Sequence, residues 1–96
     1  MEILVTYDVA TDTAAGRKRL RKVAQICQDY GQRVQKSVFE CTVSQVNFEI
    51  MLNRLLDLIN TEEDSLRIYR LREPKNRYVR EYGIYQTINY QDPLIL

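Results

Sequence analysis

Two stretches with the apolar spacing of a helix, residues 14–30 and 45–60, alternate with short runs that read as extended. That alternation leaves few architectures open. The first extended run, residues 2–8, carries Ile3, Leu4 and Val5 on both faces, as a central strand does. Asp12 or Thr13 can cap the first helix, whose stripe is Leu20, Val23, Ala24, Cys27 and Tyr30. Gly31 follows it, where a helix end favours a left-handed residue. Residues 33–43 are extended, with a bulge or tight hairpin expected near Lys36-Ser37. Ser44 can cap the second helix, whose apolar face is Phe48, Met51, Leu52, Leu55, Leu56 and Ile59.

A further strand is expected over residues 65–71, and Glu73-Pro74-Lys75-Asn76 is a polar break. A last extended segment covers about residues 79–90, with Tyr82, Ile84, Ile88 and Tyr90 on one face. The order strand–helix–strand–strand–helix–strand packs two helices on one face of an antiparallel sheet. The expected fold is therefore an α+β, ferredoxin-like βαββαβ sandwich with an additional C-terminal strand. That strand is suited to augment a sheet edge, in its own subunit or a partner's. The 96 residues make one domain, with a core over 1–72 and an extension over 73–96. A domain this small buries only about 60–70% of its unfolded surface, so a homodimer interface would help it.

Composition narrows the chemistry. There is no histidine, which excludes histidine zinc sites, Ser–His and Cys–His nucleophile pairs and a histidine base. Cys27 and Cys41 have no ligand-spaced neighbour and read as small core residues. No apolar run approaches the ~20 residues of a membrane span, and no basic-then-apolar leader precedes the first strand. A cytoplasmic protein is expected. The net charge of +1 conceals two cationic clusters. One is Arg17-Lys18-Arg19-Leu20-Arg21-Lys22; the other is Arg67, Arg70, Arg72, Lys75, Arg77 and Arg80. Either can be a solvated face, and together they suit an anionic polymer.

Asp8 closes the apolar run that begins at Ile3. An unpaired carboxylate is costly away from water, so Asp8 belongs on a rim, paired, metal-bound or catalytic. It can cap the following loop or pair with Arg17. Tyr7 and Phe39 can stack on an unpaired base or lie in the core. Ser37 can donate to a phosphate or close a tight turn. Arg17, Arg19 and Arg33 can hold phosphates by bidentate hydrogen bonds or form a solvated surface. No pattern for sequence-specific DNA readout is present.

Four runs, in this order, resemble the small CRISPR-associated adaptation proteins, the second family in that system's numbering. They are Leu4-Val5-Thr6-Tyr7-Asp8-Val9, Gly16-Arg17-Lys18-Arg19-Leu20, Tyr30-Gly31-Gln32-Arg33-Val34-Gln35-Lys36-Ser37-Val38-Phe39-Glu40 and Asp64-Ser65-Leu66-Arg67-Ile68-Tyr69. The resemblance covers residues 1 to about 71; beyond them only the strand-forming character matches. It implies a ferredoxin-like homodimer with metal-dependent endonuclease activity on RNA or double-stranded DNA, partnered with the CRISPR integrase in spacer acquisition. By the same resemblance Asp8 is the metal-binding acid. Tyr7, Arg17, Arg19, Arg33 and Phe39 fall at the catalytic site, and Ser37 joins them through its reading as a phosphate donor. Mg²⁺ or Mn²⁺ would be shared by Asp8 of both subunits across a two-fold axis. The alternatives are a catalytically dispensable scaffold holding duplex DNA between integrase subunits, and a ligand-sensing domain on the same fold. The charge pattern argues against the last of these.

Overall fold

The computed structural model describes residues 1–84. Its elements run β1 (Glu2–Asp8), α1 (Ala14–Tyr30), β2 (Gly31–Gln35), β3 (Val38–Thr42), α2 (Gln45–Leu58), β4 (Ser65–Leu71) and a single helical turn, α3 (Lys75–Tyr78). The four strands form one antiparallel sheet in the order β2-β3-β1-β4. This is the ferredoxin-like arrangement, and it makes β1 a central strand. Both β3 and β4 pair with β1, so that Val5 faces Phe39 on one side and Ile68 on the other. Cross-strand chemistry agrees with that register: the Thr42 hydroxyl donates to the Glu2 carboxylate at 2.9 Å, and those two residues are direct partners.

Period-two alternation decides which side chains enter the core. Ile3, Val5 and Tyr7 of β1 and Phe39 and Cys41 of β3 are buried against the helices. From the helices come Val23, Ile26 and Cys27 of α1 and Met51 and Leu55 of α2. Each such side chain, moved fully out of water, contributes on the order of 1.5–3 kcal/mol. Burial also pushes the Cys27 thiol up to about 12 and the Cys41 thiol up to about 11, so neither offers a thiolate near neutral pH. Both cysteines are core residues, as their lack of ligand-spaced neighbours predicts.

The helix starts follow their local chemistry. The Thr13 hydroxyl accepts the Gly16 N–H at 3.0 Å, and the Ser44 hydroxyl accepts the Asn47 N–H at 3.1 Å. The structure departs from the sequence expectations at several points. Gly31 is extended (φ −164°, ψ −161°) and opens β2. Its missing side chain matters because a Cβ there would collide with the Glu40 carbonyl and the Cys41 thiol. α2 ends at Leu58, since Ile59 is already extended, and Leu56 is exposed and lies off the buried face. The expected bulge and hairpin both occur: Lys36-Ser37 is the turn, and the register shifts between Arg33 and Gln35. The polar break holds the turn α3, with Pro74 at its N-cap. Residues 79–84 form no strand. The rest of the expected C-terminal strand, with Ile88 and Tyr90, lies outside the described residues. Among the described residues, no helix is long and apolar enough to cross a membrane.

Candidate functional site

β1 delivers Asp8 to the rim of the sheet. It is the last residue of the strand, paired in register with Ser65 of β4, and its side chain is exposed. The alternation that buries Tyr7 turns Asp8 the other way. Neither a hydrogen bond nor an ion pair ties up its carboxylate among the described residues, so the suggested pairing with Arg17 does not occur.

Four of the sequence-predicted residues, Tyr7, Arg33, Ser37 and Phe39, are linked to one another. The Tyr7 ring stacks on Phe39 with centroids 6.2 Å apart and planes inclined by 23°. The Arg33 guanidinium lies over the opposite strand's Phe39 ring at 5.1 Å. The Tyr7 N–H donates to the Ser37 carbonyl at 3.2 Å, which fastens the β2–β3 turn to β1 one residue before Asp8. The open choice for the aromatics is thereby resolved. Tyr7 is 6% exposed and Phe39 0%, so neither presents a face to a base. They wall the core beneath the acid.

The two arginines of α1 part company. Arg17 is exposed in the first turn, and its guanidinium donates to the Thr11 carbonyl at 3.1 Å, over the loop that follows Asp8. Lys18, Arg21 and Lys22 are exposed as well and continue the charge along the helix. Arg19 does not join them. Its Nε donates to Asp64 at 2.9 Å and its Nη2 to Glu63 at 3.0 Å, and its side chain is largely buried. These hydrogen bonds, Asp64's foremost, raise the Arg19 guanidinium above the ordinary arginine value.

Asp64 is the residue that the sequence reading missed. Glu62-Glu63-Asp64 looks like a solvated acidic turn, yet the Asp64 side chain is inaccessible. It accepts the backbone N–H of Ala10 at 3.1 Å and that of Asn60 at 2.9 Å, besides Arg19. Burial alone would push its carboxyl up. The hydrogen bond from Arg19, the two backbone donors and the guanidinium charge outweigh burial and hold it below the usual carboxylate range. A local signal existed: Asn60 lies four residues back, at the end of a helix, and a strand begins immediately after.

The donor set limits what a metal can find here. Among the described residues there is no group of three or more acidic or soft side chains able to hold an ion. One exposed carboxylate fits a hydrated Mg²⁺ or Mn²⁺ only as part of a site, since such ions take one or two carboxylates, waters and substrate phosphate.

The family model described as CRISPR associated protein Cas2 matches residues 1–79. The protein named CRISPR-associated endoribonuclease Cas2 1 from Moorella thermoacetica is 62% identical over 96 residues, covering 100% of both chains. The CRISPR-associated endonuclease Cas2 of Halalkalibacterium halodurans is 50% identical over 95 residues, 99% of each chain. Among solved structures, Cas2 of Streptococcus pyogenes superposes with a TM-score of 0.78 at 53% identity, over 86% of this chain and 100% of that one. A chain of a partial Cas6-RT-Cas1–Cas2 complex gives a TM-score of 0.59 at 27% identity, over 83% and 88%.

Proposed function

Because the chain belongs to the CRISPR-associated protein Cas2 family, we propose that it is a CRISPR adaptation protein with metal-dependent endonuclease activity on RNA or double-stranded DNA. The observation that carries this reading is Asp8: an exposed carboxylate at the end of a central strand, with no partner among the described residues, followed in the chain by a helix with exposed cations. Asp8 would hold a Mg²⁺ or Mn²⁺ ion together with Asp8 of a second copy, since a two-fold axis sets each residue opposite its mate. The homodimer thus completes a site that one chain leaves half built. A divalent ion held there would supply positive charge for the phosphoryl oxygens and lower the pKa of a water. Arg17 binds and orients the phosphodiester from the adjacent helix turn, with Lys18, Arg21 and Lys22 following the backbone further out. The relatives' names, endoribonuclease and endonuclease, support hydrolysis of nucleic acid. The protein works in the cytoplasm.

The second reading is a scaffold that holds duplex DNA between integrase subunits, with cleavage dispensable. The likeness to a chain within a Cas1–Cas2 complex favours it and supports Cas1 as partner. The readings separate on one substitution. Purified wild-type protein and Asp8→Ala are assayed on single-stranded RNA and duplex DNA with Mg²⁺, with Mn²⁺ and with chelator, beside spacer acquisition in cells. Cleavage should require metal and fall by about 10²-fold or more in Asp8→Ala, several kcal/mol of transition-state stabilisation. Equal rates with and without metal, or a fully active Asp8→Ala, would sink the nuclease reading. Normal acquisition by an inactive Asp8→Ala would assign the cellular role to the scaffold.

A further inference from the structure

Arg19 lies two residues from Arg17 in the chain, yet the structure gives it different work. Its guanidinium is directed at Asp64 and Glu63 and not towards the exposed basic face. Asp64, held by Arg19, accepts the N–H of Ala10, two residues after Asp8. On its other side the Ala10 carbonyl is packed so closely on Gly16 that a Cβ there would overlap it. The backbone at Ala10 is therefore pinned twice, by a carboxylate at its N–H and by a helix at its carbonyl. Ser65, next in the chain to Asp64, is the strand partner of Asp8. The same short segment thus fixes the strand pairing at Asp8 and the exit of the loop beyond it.

We infer that Asp64 and Arg19 are positioning residues for Asp8: they set the place and direction of its carboxylate through Ala10, without touching nucleic acid or metal. The inference rests on the reading of Asp8 as the metal-holding acid. It explains why an arginine is needed, since one fork reaches two acids, Nε to Asp64 and Nη2 to Glu63. A lysine ammonium would keep the charge and lose that geometry. Displacements of about 1 Å at a reacting group cost up to 10²-fold in rate, so a slackened loop is enough to matter.

The test uses the full chain and four variants: Asp64→Asn, Arg19→Lys, Asp8→Ala and, as a control, Arg54→Ala. The last breaks the exposed Arg54–Asp29 pair, which joins α2 to α1 away from the loop. Amide hydrogen exchange at Ala10 and Asn60, the affinity for Mn²⁺ alone, and kcat and KM for RNA are measured on each. Arg19→Lys should raise exchange at Ala10 about tenfold or more while Val5, in mid-strand, stays protected. Its Mn²⁺ affinity should weaken and its kcat fall by about 10- to 100-fold, with KM within about twofold of wild type. Asp64→Asn should do the same, and Arg54→Ala should match wild type. Arg19→Lys keeps the result decidable if the buried Asp64→Asn fails to fold. A raised KM with kcat intact would mean that Arg19 contacts nucleic acid itself, and would overturn the inference. So would unchanged exchange at Ala10, or wild-type kcat in Arg19→Lys beside an inactive Asp8→Ala. Wild-type Mn²⁺ affinity and cleavage in Asp8→Ala would instead remove the reading on which the inference stands.

Discussion

At Asp64 burial and hydrogen bonding pull in opposite directions, and hydrogen bonding wins. Its folded-state value lies below the unfolded one, so its contribution to stability is complete above the unfolded aspartate value of about 3.9. That contribution disappears as the pH falls through the lower folded value. Denaturant midpoints measured from pH 7 down to pH 3 should therefore drop, and Asp64→Asn should show a shallower acid limb from a lower starting point. Losing the charge while keeping a polar acceptor should cost Asp64→Asn about 1–3 kcal/mol. Gly31→Ala should lose about 1–3 kcal/mol by overpacking against the Glu40 carbonyl and the Cys41 thiol, although its φ suits any residue. These two residues mark the boundary of what the chain discloses by itself. Asp8 was legible, because a carboxylate ending an apolar strand has few places to go. Asp64 was not, because its burial depends on Arg19, 45 residues away in sequence. Gly31 was noticed for the wrong reason: a glycine after a helix suggests backbone freedom, and nothing local reveals a neighbouring strand pressed against its α-carbon.

The elements were read best where their causes are local. α1 matches its expected span because its apolar period and its N-cap both act within a few residues. Thr13→Ala and Ser44→Ala should each cost about 1 kcal/mol in urea unfolding, since each removes the acceptor of an orphan helix N–H. Asp12→Ala should change little, because Thr13 and not Asp12 is the cap. The turn α3 was not foreseen, as four residues cannot display a helical period. Nor could spacing tell which face of the β2–β3 hairpin Tyr7 and Phe39 would meet. That required the pairing of β3 with β1, which brings residues more than 30 apart in the chain into register. Phe39→Ala should cost about 3–5 kcal/mol, and its loss of activity should follow its loss of fold, because Phe39 is fully buried and offers no surface to a base.

For the molecule as a whole, charge distribution says more than net charge. The sheet and its two helices place Asp8 at one rim and Arg17, Lys18, Arg21 and Lys22 on an exposed face of α1. Arg19 is turned inward, so the cationic cluster contributes four exposed side chains rather than five. Both the endonuclease and the scaffold readings require nucleic acid on that face. The direct measurement is the salt dependence of duplex DNA affinity. It compares the wild-type protein with a variant carrying glutamine at Arg17, Lys18, Arg21 and Lys22. Wild-type affinity should fall steeply, with the log–log slope flattening in the variant by about 0.9 for each phosphate contact removed. An identical slope in the two proteins would contradict the account.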